Sequence, residues 1–178
     1  MDRSWIVFFS QTGKEIVDLA ERLGTWPDLI ITNERPLDKR TIHPEIEKRS
    51  YIILPNKPTL EDYEKTLDYF DNPLITLHGW LRILPEDICN RFEIYNGHPG
   101  LINAYPELKG KDPQIRAYEG DYKYVGSVIH KVTPGVDEGA INYSIRVQKE
   151  TWTLDETFLK LRELSLDLWC RFLEDKLD

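Results

Sequence analysis

Trp5-Ile6-Val7-Phe8-Phe9 is a continuous apolar run, and the loop Ser10-Gln11-Thr12-Gly13-Lys14 follows it directly. A run without polar alternation is typical of a strand that is buried on both faces of a sheet. The residues after the loop then show the spacing of a helix, with apolar side chains at Ile16, Leu19, Ala20 and Leu23. This stretch therefore predicts a strand, a tight loop and a helix.

Further short apolar runs continue this pattern through the first half of the chain. They are residues 29–32, 51–54, 74–77 and 93–95. Helix-like stretches at residues 59–70 and 85–91 alternate with them. Such alternation predicts an α/β fold, an open, mostly parallel Rossmann-like sheet with helices on both faces.

The second half of the chain predicts a different strand arrangement. Strand candidates at residues 124–132 and 140–147 are joined by the turn-rich segment 133–139, so the two could pair antiparallel. Thr153, with Glu156 three residues later, is a capping-box signature that opens a long final helix. The polar segment 33–50 has no clear period, and we expect an exposed loop there.

Composition limits the classes of function that the chain can have. With 178 residues, 40% of them hydrophobic, we expect a single domain over residues 1–178. The formal net charge of -8 disfavours nucleic acid as a partner. The run at residues 5–9 is too short for a membrane span or a signal peptide, so we expect no membrane partner and a cytoplasmic location. Cys89 and Cys170 lie in apolar stretches and are expected to act as small buried hydrophobes.

The strongest candidate for chemistry is Asn96-Gly97-His98-Pro99, which follows the predicted strand 93–95. In extended backbone, Asn96 and His98 would point to the same side of the sheet. An imidazole can transfer protons near neutral pH, and an amide can donate a hydrogen bond to a developing oxyanion, so the pair suits attack at a carbonyl carbon. Asp137 could hold His98 in one tautomer. Alternatively, Asn96 could cap a turn, His98 could be a surface histidine, and Asp137 could occupy a turn position.

Three motifs, in order along the chain, carry a resemblance to a known family. They are Gly79-Trp80-Leu81-Arg82-Ile83-Leu84, Asn96-Gly97-His98-Pro99 and Val136-Asp137-Glu138-Gly139. The chain resembles the folate-dependent formyltransferases, and among them most closely the single-domain phosphoribosylglycinamide branch. The resemblance implies the formyltransferase fold, 10-formyltetrahydrofolate as co-substrate, no metal, and transfer of formyl to an amine in purine biosynthesis.

The same resemblance implies a role for particular residues. Asn96 would stabilise the oxyanion, His98 would act as general acid and base, and Asp137 would support the histidine. Folate would bind at Leu81, Arg82, Ile83, Leu84, Thr133 and Val136, although core packing of Ile83 and Leu84 is also expected. The amine acceptor would bind at Thr12, Gly13, Lys14, Pro99, Lys160 and Glu163, although the last two also fit an exposed ion pair within a helix.

The first loop departs from the pattern of the phosphoribosylglycinamide branch. That branch typically has Ser-Gly-x-Gly-Ser-Asn, whose backbone amides receive a phosphate, whereas this chain has Gln11, Lys14 and Glu15 at altered positions. Lys14 could meet a phosphate, and Glu15 would oppose one. Residues 112–117 are similar instead to a segment of methionyl-tRNA and sugar-amine formyltransferases. We expect glycinamide ribonucleotide as the acceptor, with an amino-sugar nucleotide or another amine as the alternative.

Other classes of protein fit the sequence less well. A metal hydrolase could use His78, His98 and Asp137 as zinc ligands, but the histidines show no close ligand spacing. A dinucleotide-dependent oxidoreductase is disfavoured because the first loop lacks Gly-x-Gly-x-x-Gly. A folate- or nucleotide-binding module without turnover stays open, although the Asn, His and Asp of the proposed trio are all present.

Overall fold

The strands of the protein form one mixed sheet. The computed structural model describes residues 3–35, 41–134 and 140–177, apart from the side chain of Asn142. The strands are β1 Trp5–Phe8, β2 Leu29–Asn33, β3 Ile52–Leu54, β4 Leu74–Leu77, β5 Glu93–His98, β6 Tyr124–Lys131 and β7 Ile141–Gln148. Their order across the sheet is β3-β2-β1-β4-β5-β6-β7. Strands β1 to β5 pair in parallel, and β6 and β7 add antiparallel pairs at one edge, so the predicted sheet is confirmed.

Helices cover both faces of this sheet, as the sequence predicts. They are α1 Lys14–Leu23, α2 Pro44–Glu47, α3 Leu60–Leu67, α4 Glu86–Arg91, α5 Pro113–Glu119 and α6 Leu154–Leu177, with a 3-10 turn at Pro106–Leu108. Successive residues of β1 point to opposite faces. Trp5 and Val7 pack in one core with α1 and α6, whereas Ile6 and Phe8 pack in a second core with α3 and α4.

The long final helix begins where the capping box predicts. The backbone N–H of Glu156 donates to Oγ1 of Thr153 at 3.1 Å, and the backbone N–H of Thr153 donates to Oε1 of Glu156 at 3.2 Å. These bonds satisfy two donors that a helix N-terminus otherwise leaves unpaired. Further along α6, the buried ring of Phe172 contacts the rings of Tyr95 and Trp169, with centroids 4.6 and 5.5 Å away. Helix α6 is thereby fixed over β5.

The expected exposed loop over residues 33–50 is wrong for its second part, while residues 36–40 lie outside the described chain. Helix α2 begins at Pro44, and Nδ1 of His43 accepts from the backbone N–H of Glu45 at 3.1 Å. Ile46 is fully buried in the core beneath α1. A single helical turn with one apolar residue produces no visible period in a polar stretch, which explains the failed prediction.

Glu93 anchors the start of β5 through several partners. It accepts hydrogen bonds from the Arg3 guanidinium at 2.9 Å and the Tyr95 hydroxyl at 2.6 Å, and the Lys176 ammonium lies 3.6 Å away. Partial burial alone would raise the pKa of Glu93, but the hydrogen bonds from Tyr95 and Arg3 and the nearby positive charges hold it below its usual value. The ionised form is therefore the one that the fold stabilises.

Both cysteines are free thiols. Cys89 is buried, as the sequence predicts, whereas Cys170 is partly exposed. Burial raises the pKa of each thiol, which makes both weak nucleophiles. Within the described part of the chain, none of the helices is long and apolar enough to span a membrane.

Candidate active site

An open cleft of about 670 Å³ lies at the carboxyl ends of β1, β4 and β5. Gln11 and Glu15 line it after β1, Trp80 lines it after β4, and Pro99 lines it after β5. Side chains from α5 and α6 close the opposite wall. Ligand sites of open parallel sheets lie at this end of the strands, so the cleft is the candidate active site.

Asn96 and His98 lie together at the end of β5. The strand extends through His98, past the predicted end at Tyr95, so both residues lie on extended backbone and on the same side of the sheet. Asn96 is half-buried and lines the cleft. Helix α6 packs closely here, because a Cβ on Gly97 would lie 2.8 Å from Nε1 of Trp169. The structure thus places the predicted amide in the cleft lining, whereas His98, two residues further along the same strand, is not among the described residues that line the cleft.

The ring of His98 is buried and has a defined orientation. Only 7% of the residue is exposed, and Nε2 lies 2.9 Å from the carbonyl oxygen of Leu108. A carbonyl oxygen accepts but does not donate, so Nε2 carries a proton. In the neutral ring, Nδ1 is therefore the basic nitrogen. Asp137, its predicted partner, lies outside the described residues.

Arg116 holds the segment against which His98 is oriented. Its guanidinium donates to the carbonyl oxygen of Leu108 at 3.1 Å, the same oxygen that contacts His98. It also donates to three neighbouring backbone carbonyls, those of Glu107, Lys109 and Lys111. Charged donors form the stronger class of hydrogen bond, so Arg116 fixes this turn firmly. Sequence reasoning included Arg116 in a family-like segment but assigned it no role.

A second histidine forms an ordered chain of hydrogen bonds that ends at the cleft. Nδ1 of His78 lies 2.6 Å from Oε1 of Glu15, and Nε2 lies 2.8 Å from Oγ1 of Thr76. The same hydroxyl oxygen accepts from Nε1 of Trp5 at 2.9 Å. Because Trp5 can only donate, the Thr76 hydroxyl can give its own proton to Nε2, and Nδ1–H then donates to the carboxylate.

This chain of hydrogen bonds was not foreseen from the sequence. His78 was noted only as a possible zinc ligand, and Glu15 only as a charge that opposes phosphate. The side chain of His78 is fully buried, while that of Glu15 is 36% exposed. Among the residues that the structure describes, no group of three histidine, cysteine or acidic side chains could hold a metal ion. The position of His78 directly after β4 was the one signal available, since it marks the end of the sheet where ligands bind.

The residues expected to bind folate divide into exposed and buried members. Leu81 is 52% exposed and Ile83 is 79% exposed, so the expected core packing of Ile83 is wrong; Leu84 does pack in the core. Ile83 turns outward because it precedes the turn into α4. The guanidinium of Arg82 donates to the backbone oxygen and Oδ1 of Asn56, both at 2.8 Å. Thr133 is half-buried after β6, and Val136 lies outside the described residues.

The first loop is tightly packed around Gly13, and Lys14 has partners for both its backbone N–H and its ammonium group. Gly13 has a φ of +80°, and a Cβ there would overlap Cδ1 of Ile46, so glycine suits this position. The backbone N–H of Lys14 donates to Oγ1 of Thr12 at 3.3 Å. The ammonium of Lys14 lies 3.6 Å from a carboxylate oxygen of Asp18.

The predicted acceptor residues on α6, Lys160 and Glu163, are not among the described residues that line the cleft. Arg162 and Ser165 are the polar residues of α6 that line it, and the Arg162 guanidinium also pairs with Asp18. Glu163 lines a neighbouring depression between α1 and α6. Lys160 is half-buried and, within the described part of the chain, belongs to the lining of neither. The acceptor roles of Lys160 and Glu163 stay predictions.

Comparison with known proteins assigns the family. A family profile described as Formyl transferase matches residues 30–164, which is more than half of the chain. The chain belongs to the formyl transferase family. Asn96 and His98 lie within the matched region, and so do the residues that line the cleft apart from Gln11, Glu15, Ser165 and Trp169.

Individual members of the formyl transferase family are similar over much of this chain. The formyltetrahydrofolate deformylase of Bacillus subtilis is 27% identical over 140 residues, covering 74% of this chain and 41% of the deformylase. The methionyl-tRNA formyltransferase of Thermosipho melanesiensis is 32% identical over 98 residues, covering 55% of this chain and 30% of that protein. The chain thus spans less than half the length of these curated relatives.

A solved structure of a formyl transferase shows the same fold over nearly the whole chain. The phosphoribosylglycinamide formyltransferase of Campylobacter jejuni superposes with a TM-score of 0.83, covering 99% of this chain and 98% of that one. Sequence identity is 21%, so this likeness establishes the fold.

Proposed function

We propose that this protein transfers the formyl group of 10-formyltetrahydrofolate to a primary amine. The observation that carries the proposal is Asn96 in the cleft lining with the oriented, buried His98 two residues further along β5, in a chain of the formyl transferase family. An amide donor beside a proton carrier matches the needs of acyl transfer to an amine.

The reaction would pass through a tetrahedral intermediate. The amine nitrogen forms a bond to the formyl carbon, and the electrons of the C=O bond move onto its oxygen. The side-chain amide of Asn96 would donate a hydrogen bond to this oxyanion. The C–N bond to the folate then breaks, and Nδ1 of His98 would carry the proton from the amine to the departing folate nitrogen. Asp137 would support the imidazolium.

Exposed apolar side chains support a folate site beside the cleft. Leu81 and Ile83 would cover the pterin, because large apolar side chains at such exposure gain most when a ligand covers them. Arg82, fixed by Asn56, and the core residue Leu84 would hold this segment in place. Thr133 and Val136 would complete the pocket from the segment that follows β6.

The acceptor is a primary amine, and glycinamide ribonucleotide is the first compound to test. The similar structure from Campylobacter jejuni bears the name of that activity. Pro99 lines the cleft, and Thr12, Gly13 and Lys14, which do not line it themselves, lie between its lining residues Gln11 and Glu15 and would approach the acceptor from there. An amino-sugar nucleotide or another amine is the second candidate, and the carboxylate of Glu15 in the cleft lining favours an amine that places no phosphate beside it.

A formyl-transfer assay with 10-formyltetrahydrofolate tests the proposal. The acceptors are glycinamide ribonucleotide and an amino-sugar nucleotide, with water as the control for hydrolysis. We expect His98→Gln to lower the rate about 10²- to 10⁴-fold, the range for loss of a general acid or base. His43→Asn is a matched control, since His43 lies outside the cleft and asparagine can still cap α2.

The melting temperature of His98→Gln shows whether its fold persists. Full activity of a folded His98→Gln would contradict the assigned role of His98. Folate binding without turnover on any amine would favour a binding module instead.

A further inference from the structure

The cleft has an acidic group at its first-loop end. Among the described residues that line it, Glu15 and Arg162 are charged. The guanidinium of Arg162 is paired with Asp18, which also pairs with Lys14. Both cations beside this end of the cleft therefore share one carboxylate, whereas the carboxylate of Glu15 has, among the residues that the structure describes, only the imidazole of His78 as a partner.

Glu15 is held in place rather than mobile on the surface. One of its oxygens contacts Nδ1 of His78, whose ring is fixed by Thr76 and packs 4.8 Å from the ring of Trp169. The described residues give the second oxygen, Oε2, no hydrogen bond. A side chain that is already ordered loses little conformational entropy when a ligand binds, so such a carboxylate is a preorganised acceptor of hydrogen bonds.

Two of the groups that could receive a phosphate at this end, both on Lys14, already have partners. The backbone N–H of Lys14, at the start of α1, donates to Thr12, and its ammonium faces Asp18. A phosphate here would also lie beside the negative charge of Glu15, which disfavours it. The remaining polar lining consists of amides and a hydroxyl, from Gln11, Asn96, Gln114 and Ser165.

We infer that Glu15, positioned by His78, recognises the acceptor by accepting a hydrogen bond from one of its hydroxyl or ammonium groups. The acceptor is then a hydroxylated amine without phosphate at this end. This inference rests on the proposed function for the identity of the cleft as the acceptor site. His78 is a positioning residue, because it acts through Glu15.

A pair of probes that differ only in phosphate tests this inference. Glycinamide ribonucleoside has a hydroxyl where glycinamide ribonucleotide has a phosphate. Isothermal titration calorimetry should show that the wild-type protein binds the ribonucleoside about tenfold more tightly than the ribonucleotide. The reason is that the phosphate of the ribonucleotide would lie beside the negative charge of Glu15. Glu15→Gln keeps an oxygen for Nδ1–H of His78 but removes the charge, and it should abolish or reverse this preference. Glu21→Gln, on the exposed face of the same helix, is the matched control and should leave the preference unchanged.

The outcomes separate this inference from the proposed function. The inference is overturned by tighter binding of the ribonucleotide to the wild type, by binding of neither probe, or by an unchanged preference in Glu15→Gln. The same probes are then supplied with 10-formyltetrahydrofolate. A preserved binding preference without any formyl transfer would overturn the proposed function and leave the role of Glu15 supported.

Discussion

Thr76→Val is expected to destabilise the protein strongly although valine has the same shape as threonine. Thr76 is fully buried, and its hydroxyl serves both Nε1 of Trp5 and Nε2 of His78. Its loss leaves two buried nitrogens without a partner, at about 1–3 kcal/mol each. The added methyl group offsets about 1 kcal/mol by its burial. The free energy of unfolding should therefore fall by about 1–5 kcal/mol.

A guanidinium chloride titration should show this loss of stability as a lower midpoint of unfolding at an unchanged m-value. Since a chain of this size loses about 2–4 °C per kcal/mol, the melting temperature should fall by about 2–20 °C. Thr66→Val is the matched control, because among the described residues its hydroxyl bonds only to the backbone oxygen of Asp62 in the same helix, at 3.0 Å. If Thr76→Val costs no more than this control, the hydrogen-bond chain to His78 does not stabilise the fold.

Three further changes test other parts of the structure. Gly126→Ala should lower the melting temperature in a thermal-shift assay, because a Cβ would overlap the carbonyl oxygen of Ile145 on the next strand; unchanged melting would refute this close approach. Glu93→Gln should be less stable than the wild type near pH 7. The pKa of Glu93 is lowered in the folded state, so the difference in unfolding free energy between wild type and variant is fully present above the unfolded pKa of about 4.3. It should vanish as the pH falls through the pKa of Glu93 in the folded state. A difference that stays constant across this pH range in denaturant titrations would contradict the reasoning. Arg116→Met should lower kcat about 10- to 100-fold with little change in KM in the formyl-transfer assay. The reason is that the Leu108 carbonyl, which orients His98, loses its hydrogen bond from Arg116. An unaltered kcat would show that Arg116 is not needed to orient His98.

The sheet was largely predictable because its strands are buried on both faces. A run such as Trp5–Phe8 must supply apolar residues to two cores at once, so it stands out from the amphipathic helices around it. The short spacing between β6 and β7 allowed an antiparallel pair, and the structure confirms it. Helix α2 was missed because one buried residue, Ile46, gives no periodic signal.

The candidate site was predictable only where its residues are close in sequence. Asn96 and His98 lie two residues apart on one strand, so the extended backbone alone relates their side chains. Glu15 and His78 are 63 residues apart, and only the parallel pairing of β1 with β4 brings their loops together. Arg116 contacts backbone carbonyls, which carry no sequence signature. The roles of the catalytic, folate and acceptor residues, and the single domain, stay predictions.

The chain of hydrogen bonds from Trp5 to Glu15 has a consequence for how this protein can evolve. A substitution at Glu15 changes a residue that lines the cleft, and it also changes the partner of the buried His78 imidazole. The other nitrogen of that imidazole depends on Thr76 and through it on Trp5. A new acceptor specificity would therefore arise most readily from coordinated changes at several of these positions. Homologues that differ at Glu15 are expected to differ at His78 as well, so the two columns of an alignment should covary.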